Sequence, residues 1–232
     1  MNLLCIDTSG PVAGVALMED GVIRYEAMAV NAFTHSQSML PMVEEAYTRT
    51  GLTVRNTDYF AAVVGPGSFT GVRIGVSTVK GMAHAAGKPC LGVDALESMA
   101  YGVQFFPGVI CPLQDARAGQ VYGAAFQGGS MERLLADEPI KLEAFLDKAA
   151  ALGQPMLFLG DGMPVHREKI AALLGEKAQF APAHLSFLRP AAAAALAWEK
   201  RDTAGSYLEL QPLYLRAPQA ERQKNLRELG HE

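Results

Sequence analysis

The sequence predicts an α/β protein built from two related lobes. Three observations support this class: short apolar runs alternate with segments of helical periodicity, 232 residues suffice for two lobes, and the two halves of the chain resemble each other. An apolar run ends in Asp7, and a second one ends in Asp115, 108 positions later. Each aspartate is followed by a turn, a strand of small residues, another turn and a further strand, which indicates a duplicated hairpin unit.

The first lobe, residues 1–106, is predicted to open with strands at 2–7, 13–18 and 22–28, the last two joined by the turn signal Glu19-Asp20-Gly21. A helix follows, capped by Ser36 or Ser38, and ends near Thr50 because Gly51 stops it. The remaining elements alternate: a strand at 59–64, a helix at 72–86, a strand at 90–93 and a helix ending near 103.

The second lobe, residues 107–232, is predicted to be smaller and divergent. It repeats the opening of the first lobe, with strands at 109–115 and 123–126, a turn at Gln127-Gly128-Gly129 and a further strand. Helices are predicted at 142–151, 165–174 and 190–200, with a strand at 156–159. Strands that alternate with helices in this way are typical of mixed sheets flanked by helices.

Composition indicates a cytoplasmic protein with no membrane segment. The formal net charge is −4, whereas free-standing RNA-binding proteins usually carry a basic surface. Asp7 interrupts the first apolar run, and Pro107 breaks the longest uncharged stretch, so we expect neither a secretory signal nor a membrane span. The three cysteines lie far apart in apolar runs, which favours buried reduced thiols over metal ligands: Cys5, Cys90 and Cys111.

The most informative motif is the glycine-rich stretch at residues 65–75, between a predicted strand and a predicted helix. A Walker phosphate loop requires lysine where this chain has Val72, and a dinucleotide fingerprint requires glycine where it has Thr70. Two interpretations remain: an anion site at a helix N-terminus, or a tight turn with close packing. Because glycine inside a helix costs about 1 kcal/mol relative to alanine, close packing is also indicated by Gly71, Gly75 and Gly81.

Residues 65–75 read GPGSFTGVRIG, which resembles the signature of the TsaB/YeaZ family. That glycoprotease-like family belongs to the actin/sugar-kinase/heat-shock ATPase-like superfamily, so the resemblance implies an actin-like (ribonuclease H-like), two-lobed α/β fold. It covers nearly the whole chain and is weakest between residues 133 and 208. Further matching segments are LLCIDTSGPVAGVAL at 3–17, THSQ at 34–37, GVDALE at 92–97, DAR at 115–117 and PLYLR at 212–216.

The resemblance implies a subunit without catalytic residues of its own, which activates a TsaD-type transferase. That transferase moves a threonylcarbamoyl group from its adenylate onto N6 of adenosine 37 of tRNAs that read codons beginning with A. In TsaD, two metal-binding histidines lie four residues apart on a helix, at positions where this chain has Ala95 and Met99. Neither side chain suits such a metal, so no metal site is expected. The other implied partners are a TsaE-type ATPase, a second copy of the chain when it is alone, and tRNA only through the complex.

In the resembling family, the first two helices form both the homodimer contact and the contact with TsaD. We therefore expect a charged residue at Val76 or Val79 to weaken pairing without disturbing the fold. Methionine-rich helix faces also suit surfaces that accept more than one partner. The predicted partner interface comprises Met39, Leu40, Val43, Tyr47, Val72, Gly75, Val76, Val79 and Met82.

The stretch at residues 7–9 resembles the first phosphate-contacting hairpin of the ATPase superfamily. The second hairpin, at residues 115–119, lacks the expected glycine and threonine, and a kinase needs both halves. We therefore expect no cofactor for catalysis, and at most weak or interface-bound ATP or ADP. Its predicted contacts are Asp7, Thr8, Ser9, Gly67 and Ser68.

Two alternatives from another class are a self-sufficient small-molecule kinase and a glycoprotease-like peptidase. The incomplete second hairpin argues against the kinase. Ser9 and Ser68 lack the Gly-x-Ser-x-Gly elbow of a hydrolase and have no base nearby in sequence, which argues against the peptidase. His35 follows Thr34 at the start of a predicted helix, where capping or an interface contact is favoured over catalysis.

Overall fold

The computed structural model describes residues 1–30 and 34–216. Its ten strands are β1 (Asn2–Asp7), β2 (Ala13–Glu19), β3 (Val22–Ala29), β4 (Tyr59–Gly65), β5 (Cys90–Asp94), β6 (Val109–Asp115), β7 (Gln120–Gln127), β8 (Arg133–Lys141), β9 (Met156–Leu159) and β10 (Ala178–Phe180). Its α-helices are α1 (His35–Thr50), α2 (Phe69–Ala86), α3 (Ala95–Tyr101), α4 (Leu142–Ala150), α5 (Gly162–Leu174) and α6 (Pro190–Glu199).

The strands form two five-stranded mixed sheets of identical connectivity. The first has the order β3-β2-β1-β4-β5, and the second has the equivalent order β8-β7-β6-β9-β10. In each sheet the first three strands are antiparallel neighbours and the last two join in parallel. The predicted α/β class and the predicted duplication are therefore confirmed.

Successive side chains of a strand point to opposite faces of its sheet, so each sheet has a separate apolar core on each face. In β1, Leu4 and Ile6 face α1 and α2, whereas Leu3 and Cys5 face α3 and α6. The outer face of the second sheet is covered by α4 and α5. Helices α3 and α6 therefore lie between the two sheets, in a core to which both sheets contribute.

Helix α6 follows the second sheet in sequence but packs on the first. It contacts all five strands of the first sheet, and Gly205, shortly after it, forms a bridge with Cys90 at the start of β5. The predicted boundary after Phe106 falls between α3 and β6 and stays a prediction, because the chain returns to the first sheet later. Residues 217–232 of the predicted second lobe lie outside the described residues.

Two helices begin earlier than the sequence suggested. Thr34, and not Ser36 or Ser38, precedes α1, and the Gln37 side chain accepts a 3.0 Å hydrogen bond from the Thr34 N–H in a capping box. Helix α2 begins at Phe69, three residues before the predicted start, because the Ser68 hydroxyl accepts a 3.2 Å hydrogen bond from the Gly71 N–H.

The three cysteines are buried and free, as predicted. Among the described residues, no helix combines the length and the apolar character that a membrane crossing requires.

Candidate functional site

The turn after β1 is buried and closed by its own hydrogen bonds. Asp7 is 1% exposed, and its Oδ1 accepts hydrogen bonds from the N–H (2.8 Å) and the hydroxyl (2.7 Å) of Ser9. Burial raises the pKa of Asp7, and the bonds from Ser9 partly oppose this effect. Thr8 is also buried and donates a 2.7 Å hydrogen bond to the Gly71 carbonyl. The predicted anion contacts by the Thr8 and Ser9 hydroxyls therefore need correction, because both groups already bind within the protein.

The glycines of α2 and its preceding loop allow this helix to lie directly on that turn. A Cβ atom on Gly67 would collide with the carbonyl oxygen of Ser9, and one on Gly71 with that of Thr8. A Cβ on Gly75 would lie 2.6 Å from the Thr8 hydroxyl. Of the two interpretations of residues 65–75, close packing is thus the one that the contacts of these glycines show.

A cleft of about 630 Å³ opens between the two sheets beside this turn. Gly67 and Ser68 line one wall, and Asp115, Arg117 and Asp161 line the opposite wall. Burial, reinforced by the Asp115 carboxylate, raises the pKa of Asp161 to about 6. Three of the five predicted nucleotide contacts, Ser9, Gly67 and Ser68, therefore line the cleft, although the Ser9 hydroxyl is already bound to Asp7.

The turn after β6 shares one hydrogen bond with the turn after β1 but differs from it in backbone conformation and chemistry. Oδ1 of Asp115 accepts a 2.9 Å hydrogen bond from the Arg117 N–H, as Oδ1 of Asp7 does from Ser9. Arg117, Ala118 and Gly119 adopt left-handed conformations, with φ of 63°, 53° and 71°. The second turn therefore presents an exposed guanidinium to the cleft where the first has a buried hydroxyl.

Residues 212–216, the PLYLR segment of the resemblance, run across the cleft from the first sheet to the second. The Leu213 N–H donates a 2.7 Å hydrogen bond to the Val64 carbonyl in β4. Nη1 of Arg216 donates to the carbonyl of Ala116, at 3.4 Å, in the turn after β6. This segment therefore connects the two walls.

The same segment places an aromatic and cationic cluster at the rim of the cleft. The rings of Tyr214 and Phe69 lie 4.8 Å apart, and the Arg73 guanidinium lies 3.8 Å from the Phe69 ring centre. Nε of Arg73 donates a 2.6 Å hydrogen bond to the Tyr214 hydroxyl. Sequence analysis did not identify this cluster, because Tyr214 is far from the other two residues along the chain.

Most of the predicted partner interface is buried in the chain's own core. Met39, Val43, Val72, Val76 and Val79 pack between the two helices and the first sheet, and Gly75 lies against the turn after β1. These six positions offer no free surface, so this part of the predicted interface needs correction. Of the nine predicted residues, Leu40 is 56% exposed, and Tyr47 and Met82 are half-buried.

The outward face of α2 consists of residues outside the predicted partner interface. Arg73, Ser77, Gly81 and Ala85 recur every four residues and are all exposed. A Cβ added to Gly81 would have no neighbour within 4 Å. Together with Leu40 and Met82, these positions form a surface that another helix could approach closely, which we call the α1–α2 outer face.

The positions that correspond to metal ligands in TsaD are part of the core between the sheets. Ala95 is 0% and Met99 is 3% exposed, and both pack against apolar side chains. Within residues 1–30 and 34–216, no group of three or more His, Cys, Asp or Glu side chains could hold a metal ion. His35 does not cap α1; its Nε2 lies 2.9 Å from the Gly10 carbonyl and joins α1 to the turn after β1.

Comparisons with known proteins agree with this arrangement. Residues 29–224 match the family model described as "TsaD: tRNA N6-adenosine threonylcarbamoyltransferase". A Bacillus subtilis protein named tRNA threonylcarbamoyladenosine biosynthesis protein TsaB is 33% identical over 223 residues, which is 95% of this chain and 96% of that protein. An Escherichia coli protein of the same name is 39% identical over 129 residues, 55% of each chain.

A solved structure from Pseudomonas aeruginosa, described as an uncharacterized protein with similarity to peptidase YEAZ, matches with a TM-score of 0.76 at 27% identity. The match covers 93% of this chain and 99% of that chain. The predicted actin-like fold with two mixed sheets is thereby confirmed. From the matching motifs, the relatives along its whole length and the shared fold, the chain belongs to the TsaB/YeaZ family.

Proposed function

We propose that this chain is a non-catalytic, activating subunit of the cytoplasmic machinery that forms threonylcarbamoyladenosine at position 37 of tRNA. Family membership supports a role in that pathway, because its relatives are named for it. The observation that carries the non-catalytic assignment is the burial of Ala95 and Met99, which fill the positions of the two TsaD histidines with apolar side chains. A chain with this helix α3 cannot hold the transferase metal there.

The partner in this proposal is a TsaD-type transferase, which binds the α1–α2 outer face. Small residues at Ser77, Gly81 and Ala85 permit close approach of a helix, and Leu40 and Met82 offer adaptable apolar contacts beside them. A second copy of the chain uses the same face when the transferase is absent. Activation requires that the chain bind the active transferase conformation better than the idle one. A TsaE-type ATPase completes the assembly, and tRNA is contacted only through it.

Nucleotide has at most an accessory role in this proposal. Gly67 and Ser68 reach the cleft, and Arg117 faces them, so weak or interface-bound ATP or ADP remains compatible with this geometry. A kinase would need a hydroxyl group in the turn after β6 as well as in the turn after β1. In the turn after β6, Arg117 occupies the position that Ser9 has in the turn after β1. The peptidase alternative is disfavoured because the Ser9 hydroxyl, although bound to the Asp7 carboxyl group, is fully buried. The Ser68 hydroxyl caps α2.

An omission assay tests the proposal. Purified TsaD-type and TsaE-type subunits, tRNA, ATP, threonine and bicarbonate are combined with the enzyme that forms the threonylcarbamoyl adenylate, with and without this chain. Modified adenosine is measured by mass spectrometry, and ATP turnover by the isolated chain is measured in parallel. We expect product only when the chain is present and no turnover by the chain alone. Full product without it would overturn the activating role, and turnover alone would favour the kinase alternative.

A further inference from the structure

A cluster of five charged side chains joins the two sheets on the side away from the α1–α2 outer face. Asp94 and Glu97 lie at the junction of β5 and α3, Arg133 and Asp137 lie on β8, and Lys200 follows α6. Nη2 of Arg133 lies 3.4 Å from Glu97 and 4.0 Å from Asp94, and its Nη1 binds Asp137. Nζ of Lys200 lies 2.6 Å from Glu97. The cluster therefore ties an edge strand of the second sheet to a corner of the first.

Asp94 is the member whose hydrogen bonding is incomplete. Its Oδ1 accepts a 2.7 Å hydrogen bond from the Glu97 N–H and caps α3. Its Oδ2 is buried and meets no donor among the described residues. The neighbouring acid is Asp137, because both carboxyl groups lie against the guanidinium of Arg133. The Asp94 and Asp137 side chains are only 12% and 13% exposed. Two carboxylates cannot bond to each other unless one of them carries a proton.

The charge balance of the cluster also indicates that one of its carboxyl groups carries a proton. Three carboxyl groups face two cations, Arg133 and Lys200, so full ionisation leaves one negative charge uncompensated in a largely buried place. Lys200 binds Glu97, and the single guanidinium of Arg133 is shared among all three acids. One added proton makes the cluster neutral and supplies the donor that Oδ2 of Asp94 lacks.

We propose that Asp94 and Asp137 share one proton in the folded protein, and that this proton fastens β8 of the second sheet to the β5–α3 corner of the first. In support, burial and then the Asp137 carboxylate raise the pKa of Asp94 to about 8, although Glu97 N–H and Arg133 oppose the rise. In the unfolded chain an aspartate titrates near pH 4. Between about pH 4 and pH 8, the folded protein thus holds a proton that the unfolded chain has lost.

The sign of the pH dependence follows from this difference. Where the folded state binds more protons, the free energy of unfolding falls as pH rises. The contact between the sheets is therefore firmest in mild acid, weakens up to about pH 8, and is weakest once the proton has left. The cluster is thus a pH-dependent contact between the two sheets. This inference does not depend on the proposed partner surface.

The first test is the replacement Asp94→Asn, whose amide oxygen can still cap α3 and whose N–H can donate to Asp137 at every pH. We expect the urea midpoint of D94N to exceed that of the wild type by a margin that grows from pH 5 to pH 8 and then stays constant. Asp137→Asn supplies the same donor from the other side and should behave alike. The control is Glu143→Gln, which removes an exposed carboxylate paired with Lys169 and should give no such growing margin. Parallel curves for D94N, D137N and the wild type would overturn the proposal.

The second test observes the proton and the contact directly. The carboxyl ¹³C resonance of Asp94, identified by its loss in D94N, should titrate well above pH 6; titration near pH 4 would overturn the shared proton. Hydrogen exchange of α3 and β8 amides, corrected for the intrinsic rate, should quicken at least several-fold between pH 7 and pH 9 in the wild type only. Equal changes in D94N would show that the proton does not hold the two sheets together.

Discussion

The hydroxyl group of Thr8 donates a 2.7 Å hydrogen bond to the carbonyl oxygen of Gly71 and thereby ties the turn after β1 to the first turn of α2. Both partners are buried. We predict that Thr8→Val, which keeps the shape but removes the donor, lowers the free energy of unfolding by about 0.5–1.5 kcal/mol, the net contribution of one hydrogen bond. The Gly71 carbonyl would keep its helical bond within α2, so no buried acceptor would be left unsatisfied. Urea denaturation measures this loss, and a change below about 0.5 kcal/mol would show that the bond contributes little.

The two glycine faces of α2 should respond oppositely to alanine. We predict that Gly75→Ala destabilises the protein, because the new methyl group would lie 2.6 Å from the Thr8 hydroxyl and force the helix away from the turn. Gly81→Ala is the matched control on the same helix; with open space around it, it should gain up to about 1 kcal/mol. Thermal denaturation of both variants tests this prediction. Equal shifts of the melting temperature would contradict the assignment of Gly75 to the packed face and Gly81 to the open face of α2.

Partner binding should depend on the exposed positions of α2 and not on its buried ones. We predict that Ser77→Glu leaves the melting temperature nearly unchanged but weakens binding to a TsaD-type transferase at least tenfold in titration calorimetry. Val79→Asp should instead unfold the protein, because Val79 is fully buried and an unpaired buried charge is costly. Ala172→Glu, an exposed position on α5, is the control that should keep full affinity. Undiminished binding by Ser77→Glu would place the interface elsewhere.

The contact between Phe69 and Tyr214 should be measurable as a coupling energy. The rings lie 4.8 Å apart, and such pairs contribute about 0.5–1.5 kcal/mol. In a double-mutant cycle, Phe69→Ala and Tyr214→Ala should therefore be non-additive by about that amount. Additive losses of unfolding free energy would mean that residues 212–216 are held mainly by the backbone bond of Leu213 and not by the aromatic cluster.

Asp161 should make stability fall with rising pH over a narrower range than Asp94. Its pKa is raised to about 6, whereas an unfolded aspartate titrates near pH 4, so the folded state holds the extra proton between those values. We predict that Asp161→Asn removes a decline on the order of 2–3 kcal/mol between pH 4 and pH 6, from 1.36 kcal/mol per pKa unit. Urea midpoints at pH 4.5 and pH 7 measure it; a decline that persists in full in D161N would assign it to other groups.

Much of the fold could be predicted from the sequence because its strands are long apolar runs and its turns carry glycine. The three-residue strand β10 was missed, since so short a segment shows no period. Val76 and Val79 were predicted to lie at a partner interface from the family resemblance, but they pack in the core. An apolar helix face in a sequence does not reveal whether the chain's own sheet or a partner covers it. The rim cluster was also missed, because Phe69 and Tyr214 meet only through tertiary structure.

The return of α6 to the first sheet has a consequence for synthesis on the ribosome. The first sheet and α3 are complete by Tyr101, yet the part of the inner face that α6 covers stays exposed until α6 has emerged, almost a hundred residues later. At about 5–20 residues per second, this interval is roughly 5–20 s. During that time the nascent chain exposes apolar strands that chaperones bind, so ribosome-bound chains stalled before α6 should be protease-sensitive and those stalled well beyond it protected.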